Sequence, residues 1–263
     1  MPPLVSCLTP TYNRFPSHGH LLAEAVESFL RQDYPKEQRE LLILSDCPKQ
    51  EIFCAEPGVR ILNYPTRFAS LGAKFNELCK QARGAVLLPW EDDDIALPRR
   101  ISQAVQALEF DGWDVDDKGR WTFAARVQPR YDYWNPQRCW FLTSGTLSKD
   151  HHHGVCHNSS AFTKEAFLKV GGYPHISGAQ DIEMDRRLKK QVKVAPPLPD
   201  GQPSDWQYIY RWGVSDVHLS GRKPHDEFYT EVGTRPIFEG RFQIWPVWLQ
   251  DYTAMAKALA VAS

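Results

Sequence analysis

Apolar residues follow two rhythms along this chain, and the rhythm changes near Trp121. Before it, short unbroken apolar runs alternate with longer segments whose apolar positions recur every three or four residues. Leu4 to Thr9, Leu41 to Leu44, Val59 to Leu62 and Ala85 to Leu88 are the runs and read as strands, the first apolar enough to be buried on both faces. Leu21, Leu22, Ala25, Val26, Phe29 and Leu30 lie at helical spacing between them, as do Leu71, Phe75, Leu78, Cys79 and Ala82, and Ile101, Ala104, Val105 and Leu108. Ser70 is placed to cap the second of these helices and Gly84 to stop it, while Pro98 opens the third. Strands alternating with helices predict a parallel sheet with right-handed crossovers and helices on both faces.

After Trp121 the pattern is mixed. Trp121 to Val127 and Arg138 to Thr143 read as strands of a hairpin or meander, joined through the turn-like stretch Tyr131 to Pro136. Thr163 can cap a short helix over Lys164 to Val170 that Gly171-Gly172 stops. Gln180 to Gln191 reads as a helix with Asp181, Glu183, Asp185, Arg186 and Arg187 on its polar face, and Tyr208 to Trp212 as a strand. Glu231 to Trp248 fits either a lid over a bound ligand or an irregular wrap on the core, and Trp248 to Ala262 a closing helix.

Chemistry concentrates where the fourth apolar run ends, because Val86-Leu87-Leu88-Pro89-Trp90 passes straight into Glu91-Asp92-Asp93-Asp94. Carboxylates this close repel one another and raise each other's pKa unless a cation neutralises them. The matching counterion is a hard divalent metal, Mg2+ or Mn2+, which takes oxygen ligands and keeps positions open for substrate phosphates. An isolated acid run is often only a solvated turn. This one closes a strand in an α/β pattern, where ligand sites lie beyond the carboxyl ends of strands.

The 263 residues suffice for one large α/β domain, or one with a sizeable appendage. A net charge of −1 gives no global pull toward nucleic acid or membrane. Lys164, Lys169, Arg186, Arg187, Lys189, Lys190 and Lys193 bias the later half toward basic, which suits either a phosphate backbone or a solubilising helix face. Nine Trp, ten Tyr and thirteen Phe, several of them late and beside polar residues, fit the floor of a cleft as well as a core. The six cysteines make no CxxC pair, and Cys7 and Cys79 fall in apolar segments as small buried hydrophobes. With no signal peptide and no long apolar run, the expected setting is reducing and cytoplasmic. His151, His152, His153, Cys156 and His157 are zinc-type ligands at a spacing that matches no established finger, so the stretch reads instead as a loop beside a cleft.

In order along the chain, several motifs resemble the GT-A glycosyltransferases of family 2, nucleotide-sugar-dependent enzymes with a Rossmann-like half and an acceptor half. The likeness covers roughly residues 4 to 220. Val5 to Arg14 looks like the family's first strand and turn, and Gln32-Asp33-Tyr34-Pro35 like the phrase before its second strand. Leu71 to Asn76 is similar to the helix start that usually reads Ala-Arg-Asn, with Lys74 for the arginine. Glu91-Asp92-Asp93-Asp94 followed by Pro98 resembles the metal-binding D-x-D-D segment and its trailing proline. Gly178-Ala179-Gln180-Asp181 resembles the Glu-Asp pair that opens the acceptor-side helix; Gln180 and Glu91 depart from the usual residues.

The resemblance implies a single GT-A domain: a mixed, mainly parallel sheet flanked by helices, with a nucleotide-sugar-binding half over 1–110, an acceptor and catalytic half over 111–220, and a C-terminal extension over 221–263. It implies Asp181 as catalytic base and Asp93 as the first ligand of Mn2+ or Mg2+, with Asp92, Asp94 and His218 as further candidates. The donor site it implies draws on Pro10, Thr11, Tyr12, Arg14, Asp46, Arg67, Lys74 and Asp92, with Asp46 accepting from a uracil N3–H and hence a UDP-sugar as donor. His157 and Asn158 would face the acceptor. The implied reaction is metal-dependent inverting transfer of a sugar to a hydroxyl, on a saccharide, a lipid-linked sugar, a small metabolite, a protein or a modified base in DNA. The departures at Gln180 and Glu91 keep open a non-catalytic sugar-nucleotide- or carbohydrate-binding module on the same fold. A nucleotidyltransferase would share the nucleotide fold and metal-binding carboxylates, but its Gly-rich basic N-terminal loop is not found here.

Overall fold

The computed structural model describes residues 2–115, 121–125, 128–149, 157–199, 203–214 and 224–261. All seven residues of β1 (Val5–Thr11) are buried, as befits a strand in the middle of a sheet covered on both faces. α1 (Gly19–Leu30) returns the chain to β2 (Arg39–Ser45), parallel to β1 with Leu8 opposite Leu42. β3 (Gln50–Phe53) leaves that sheet and β4 (Val59–Asn63) rejoins it beside β2. α2 (Leu71–Gln81) leads to β5 (Val86–Pro89), parallel to β1 on its other side. β6 (Ile95–Ala96) and α3 (Arg100–Leu108) follow, then an antiparallel pair, β7 (Asp111–Val115) and β8 (Trp121–Ala125). β9 (Tyr133–Trp134), β10 (Trp140–Thr143), β11 (Thr146–Lys149), β12 (Ala161–Thr163), α4 (Lys164–Lys169) and α5 (Gln180–Gln191) come next. β13 (Tyr208–Trp212), α6 (His225–Thr234), β14 (Gly240–Gln243) and α7 (Tyr252–Val261) complete the chain.

The main sheet has the order β4-β2-β1-β5-β12-β9, parallel as far as β5 and antiparallel beyond it, so the expected mixed, mainly parallel α/β architecture is present. Strand alternation divides its side chains between two cores. Val5, Cys7, Leu41, Ile43, Val86 and Leu88 pack with Leu22, Val26 and Phe29 of α1 and Ile101 of α3. Leu8, Leu42, Leu44 and Leu87 pack on the opposite side with Phe75 and Leu78 of α2 and Met184 and Leu188 of α5. A second sheet, β11-β10-β13-β6, buries Trp140, Leu142 and Ile209 against Tyr252 and Ala256 of α7. The chain crosses from β5 of the first sheet to β6 of the second through Glu91–Asp94, so the acid run sits at the seam between the two.

The caps behave as their chemistry predicts: Ser70 and Thr163 accept from the backbone N–H of Ala73 and Ala166, and Gly171 and Gly172 both adopt φ of +75°. Other local expectations change. β8 and β10 form no hairpin, since β8 pairs with β7 and β10 lies between β11 and β13. The stretch read as their turn contains β9 at the edge of the main sheet. Tyr133 and Trp134 are both buried there, with the Tyr133 hydroxyl on Asp185 at 2.5 Å and the Trp134 indole N–H on the Pro196 carbonyl, and that burial outweighs the turn signal of Asn135-Pro136. Gly84 does not stop α2, which ends at Gln81. It is small because β1 passes so close that a Cβ would stand 2.6 Å from the Ser6 nitrogen. The 231–248 stretch finishes α6 and then forms β14, which pairs in parallel with β3.

Gly72, in the first turn of α2, lies against the segment that leads into α5. Its N–H donates to the Ile176 carbonyl at 3.0 Å, and a Cβ there would stand 1.8 Å from the Pro174 carbonyl oxygen. Backbone cannot yield as a side-chain tip can, so Gly72→Ala should cost about 2 kcal/mol in a urea titration, with an unchanged slope.

Candidate functional site

A cavity of about 320 Å³ opens beyond the carboxyl ends of β1 and β5, lined among others by Thr11, Tyr12, Glu91, Asp93, Asn158, Asp181 and Tyr210. The acid segment reaches it because Trp90 anchors the end of β5. The indole is 3% exposed and donates to the Ala25 carbonyl of α1, while the Trp90 N–H donates to Leu8.

The four acids have different surroundings. Asp92 is 4% exposed and fully engaged: Thr11 donates to Oδ2 at 2.6 Å, and Arg14 donates to Oδ2 at 2.8 Å and to Oδ1 at 2.6 Å. Arg14 extends the same guanidinium to Asp93 Oδ2 at 2.9 Å, and these two carboxylates hold its pKa above the ordinary arginine value against the opposing effect of burial. Asp94 turns toward β13, where it accepts from the Tyr208 hydroxyl at 2.5 Å and the Arg211 N–H at 2.7 Å. Burial, then Asp93, pushes the Asp94 carboxyl up to about 7. Glu91 is the exception: among the described residues nothing donates to its carboxyl. Burial, then Asp93, Asp94, Asp92 and Asp181, raises its pKa well above the ordinary glutamate value.

This arrangement fits a divalent cation, on a donor set different from the one the resemblance implied. Glu91 and Asp93 offer hard oxygen atoms to the cavity at a point of concentrated negative potential. Asp94, expected as a ligand, has both oxygens occupied by β13. His218 lies outside the described residues, as do His151, His152, His153 and Cys156. Among the described residues no three His, Cys, Asp or Glu side chains converge into a complete cage, so a cation here would take its remaining ligands from substrate or water, as Mg2+ commonly does.

The residues expected around a nucleotide are gathered here, yet their charges meet protein partners. Pro10, Thr11, Tyr12, Arg14, Arg67, Lys74 and Asp92 all line the cavity. Asp46, expected at the base, is instead completely buried beneath it, where it pairs with Lys74 at 2.5 Å and accepts from the Phe68 N–H. Lys74 also donates to the Thr11 carbonyl. Arg67 is clamped between the rings of Tyr12 and Tyr229, 4.2 and 3.9 Å from their centroids. Asp181 lies in the first turn of α5, where the helix dipole favours an anion, and its carboxylate faces the cavity with no donor among the described residues. Asn158 lines the cavity as expected. His157 does not: it is 2% exposed, its Nε2 is 2.9 Å from the Tyr173 hydroxyl, and burial pushes its imidazole pKa down to about 4.

Residues 6–171 match the sequence profile of glycosyl transferase family 2, and the chain belongs to that family. Among solved structures, S. aureus TarS 1-349 in complex with UDP-GlcNAc superposes with a TM-score of 0.61 at 15% identity, over 87% of this chain and 64% of its own. The same protein in complex with UDP gives 0.57 at 14% identity, over 87% and 63%. These likenesses establish the shared GT-A fold. The chain spans less than two-thirds of those TarS chains, and 38% of the longer TarS structure. No curated protein matches by sequence.

Several residues at the site carried no motif. Arg211 offered one signal all the same: strict alternation in Tyr208–Trp212 puts it on the buried face beside Ile209, and a buried cation requires a carboxylate. Tyr229 stood in a stretch with too little apolar periodicity to announce α6.

Glu91 supplies a test of the site's potential. Its folded pKa lies above the unfolded value near 4.5, so the cost of ionising it is absent below about pH 4.5 and grows as pH rises toward the folded value. Glu91→Gln should therefore raise Tm over wild type more at about pH 8 than at about pH 4, and should remove most of the stabilisation that Mn2+ gives wild type, both read by thermal-shift titration.

Proposed function

We propose that this protein is a divalent-metal-dependent, inverting glycosyltransferase that moves a sugar from a UDP-sugar to a hydroxyl acceptor. The observation that carries the reading is that one cavity brings together Glu91, to which nothing donates among the described residues, the neighbouring Asp93 and, from a separate element, Asp181, likewise with no donor among the described residues. Solved complexes of TarS with UDP and UDP-GlcNAc, on the same fold, support the choice of nucleotide.

Glu91 and Asp93 would hold Mn2+ or Mg2+, whose chemistry there is to neutralise the charge developing on a departing diphosphate. Asp181 accepts the proton of the acceptor hydroxyl as that oxygen bonds to the anomeric carbon and the bond from this carbon to the diphosphate oxygen breaks. Attack from the face opposite the leaving group inverts the anomeric configuration. Arg14 fixes Asp92 and Asp93 relative to the turn after β1, so the acid segment keeps its geometry through the reaction. Tyr12, braced by Arg67, offers a flat face at the cavity wall for the nucleotide base.

The basic bias of the later half gives little support to a DNA acceptor. Arg186 and Arg187 both bond Glu183, and Lys189 bonds Asp185, which fits a salt-bridged helix face better than a phosphate-binding one.

Asp181→Asn keeps the shape and removes the base. Its kcat for UDP release should fall by about 10²- to 10⁴-fold, with the affinity for UDP in Mn2+ unchanged by calorimetry. Undiminished turnover in that variant would remove Asp181 from the mechanism. Failure of every UDP-sugar to yield UDP with Mn2+, despite binding, would leave a sugar-nucleotide-binding module.

A further inference from the structure

The cavity continues onto an aromatic surface that the donor site does not use. In β13, exposure grows outward along one face: Tyr208 is buried on Asp94, Tyr210 is half-buried and lines the cavity, and Trp212 is 39% exposed. On β10, Phe141 stands in register beside Tyr210. The three outer rings form a cluster, with centroids 5.8 Å apart for Phe141 and Tyr210, 6.0 Å for Phe141 and Trp212, and 6.1 Å for Tyr210 and Trp212. Thr143 lies opposite Trp212, and Ser148 and Thr146 of β11 lie opposite Phe141 and Thr143. Strand alternation puts all of these on the same face, away from Trp140, Leu142 and Ile209. Among the described residues of these three strands, that face carries aromatic rings and hydroxyls and no charged side chain.

The composition selects a ligand. A pyranose ring has an apolar C–H face that packs on an aromatic ring, and equatorial hydroxyls around its rim that exchange hydrogen bonds with serine and threonine. A nucleic acid strand would add a phosphate for every stacked base, and surfaces that stack bases pair their aromatic residues with a cationic groove. The charge balance of the described residues of these strands favours the neutral ligand. Continuity with the cavity gives its direction: a chain whose terminal hydroxyl lies at Asp181 passes over Tyr210 toward Phe141 and Trp212.

We infer that Tyr210, Phe141 and Trp212 form an extended acceptor subsite for a glycan chain, so that the acceptor is an oligosaccharide of pyranose units rather than a single small alcohol. This rests on the glycosyltransferase reading for its orientation but not for its binding.

Saturation-transfer NMR with maltohexaose, cellohexaose and chitohexaose as probes, in the presence of UDP and Mn2+, tests the inference. At least one hexasaccharide should bind, and Trp212→Ala and Phe141→Ala should each weaken it by about 10-fold, the loss of one stacking contact. Trp212→Phe should retain most of the affinity. All three variants should keep wild-type affinity for UDP, which also shows that they fold. The inference is overturned if no hexasaccharide binds, or if Trp212→Ala binds as well as wild type. It is equally overturned if a thymidine oligonucleotide, in place of the sugars, binds in a Trp212-dependent way. Saccharide binding that depends on Trp212 in a protein that releases no UDP from any donor would uphold the subsite and refute the transferase reading; UDP release without such binding would do the reverse.

Discussion

Four carboxylates in sequence at the end of a buried strand set the constraint that the rest of this structure answers. The acids cannot move apart, because Trp90 pins one end and β6 enters the second sheet at the other. Two buried arginines keep the segment folded. Arg14 arrives from the turn after β1 and takes Asp92 and Asp93; Arg211 arrives from β13, donates its backbone N–H to Asp94 and its guanidinium to the Asp93 carbonyl. Removing one partner from such a buried arrangement costs about 3–5 kcal/mol, because it leaves an uncompensated charge behind. That asymmetry, more than any net attraction, fixes where the segment lies.

Arg211 also ties the segment to parts of the chain far from it in sequence. Its guanidinium meets Glu24 of α1 at 2.5 Å, and Glu24 in turn accepts from the Tyr252 hydroxyl of α7 at 2.7 Å and from the Leu249 N–H at 3.1 Å. Glu24 is 1% exposed and so accepts in a medium of low dielectric, where an unpaired carboxylate would be expensive and a satisfied one is rigid. The C-terminal helix is thereby part of the support of the site: it covers the buried face of the second sheet with Tyr252 and Ala256, and through Glu24 it helps to orient the arginine that orients the acids.

What could be read in advance divides along the same physical line. Two-sided burial of β1, β2 and β5 leaves a continuous apolar run, and helix caps leave local signatures at Ser70 and Thr163, so the layer order and most boundaries were legible. The motif order brought the acid segment and Asp181 together correctly, because each stands at the end of an element whose type the pattern determines. Three kinds of feature were not legible. β9 and β14 are too short for periodicity to speak, and only tertiary pairing defines them. His157 looked like a loop histidine beside a cleft, and only the packing of Tyr173 and Phe162 around its ring makes it a core residue. Nor does sequence tell whether a cation is engaged by the protein: Arg14, Arg67 and Lys74 were all placed in the donor site by the resemblance, and each turns out to have an internal partner.

That last point bears on how a diphosphate could be accommodated. A leaving group of this kind needs positive charge where its own negative charge develops. Lys74 is held by the fully buried Asp46, Arg67 lies between two tyrosine rings, and Arg14 is bound to Asp92 and Asp93. Withdrawing any of them toward a phosphate would break a contact made where water does not substitute for the lost partner. The cavity instead pairs occupied cations with a surplus of carboxylate, most acutely at Glu91. In the proposed reading a divalent ion held by Glu91, to which nothing donates among the described residues, and by Asp93, which would keep its Arg14 contact, would supply positive charge there without drawing Arg14, Arg67 or Lys74 from their partners. On this reasoning all three cations are scaffold, Arg14 for Asp92 and Asp93, Lys74 for Asp46 and Arg67 for Tyr12 and Tyr229, and in the proposed reading the charge that meets the substrate would come from a bound ion.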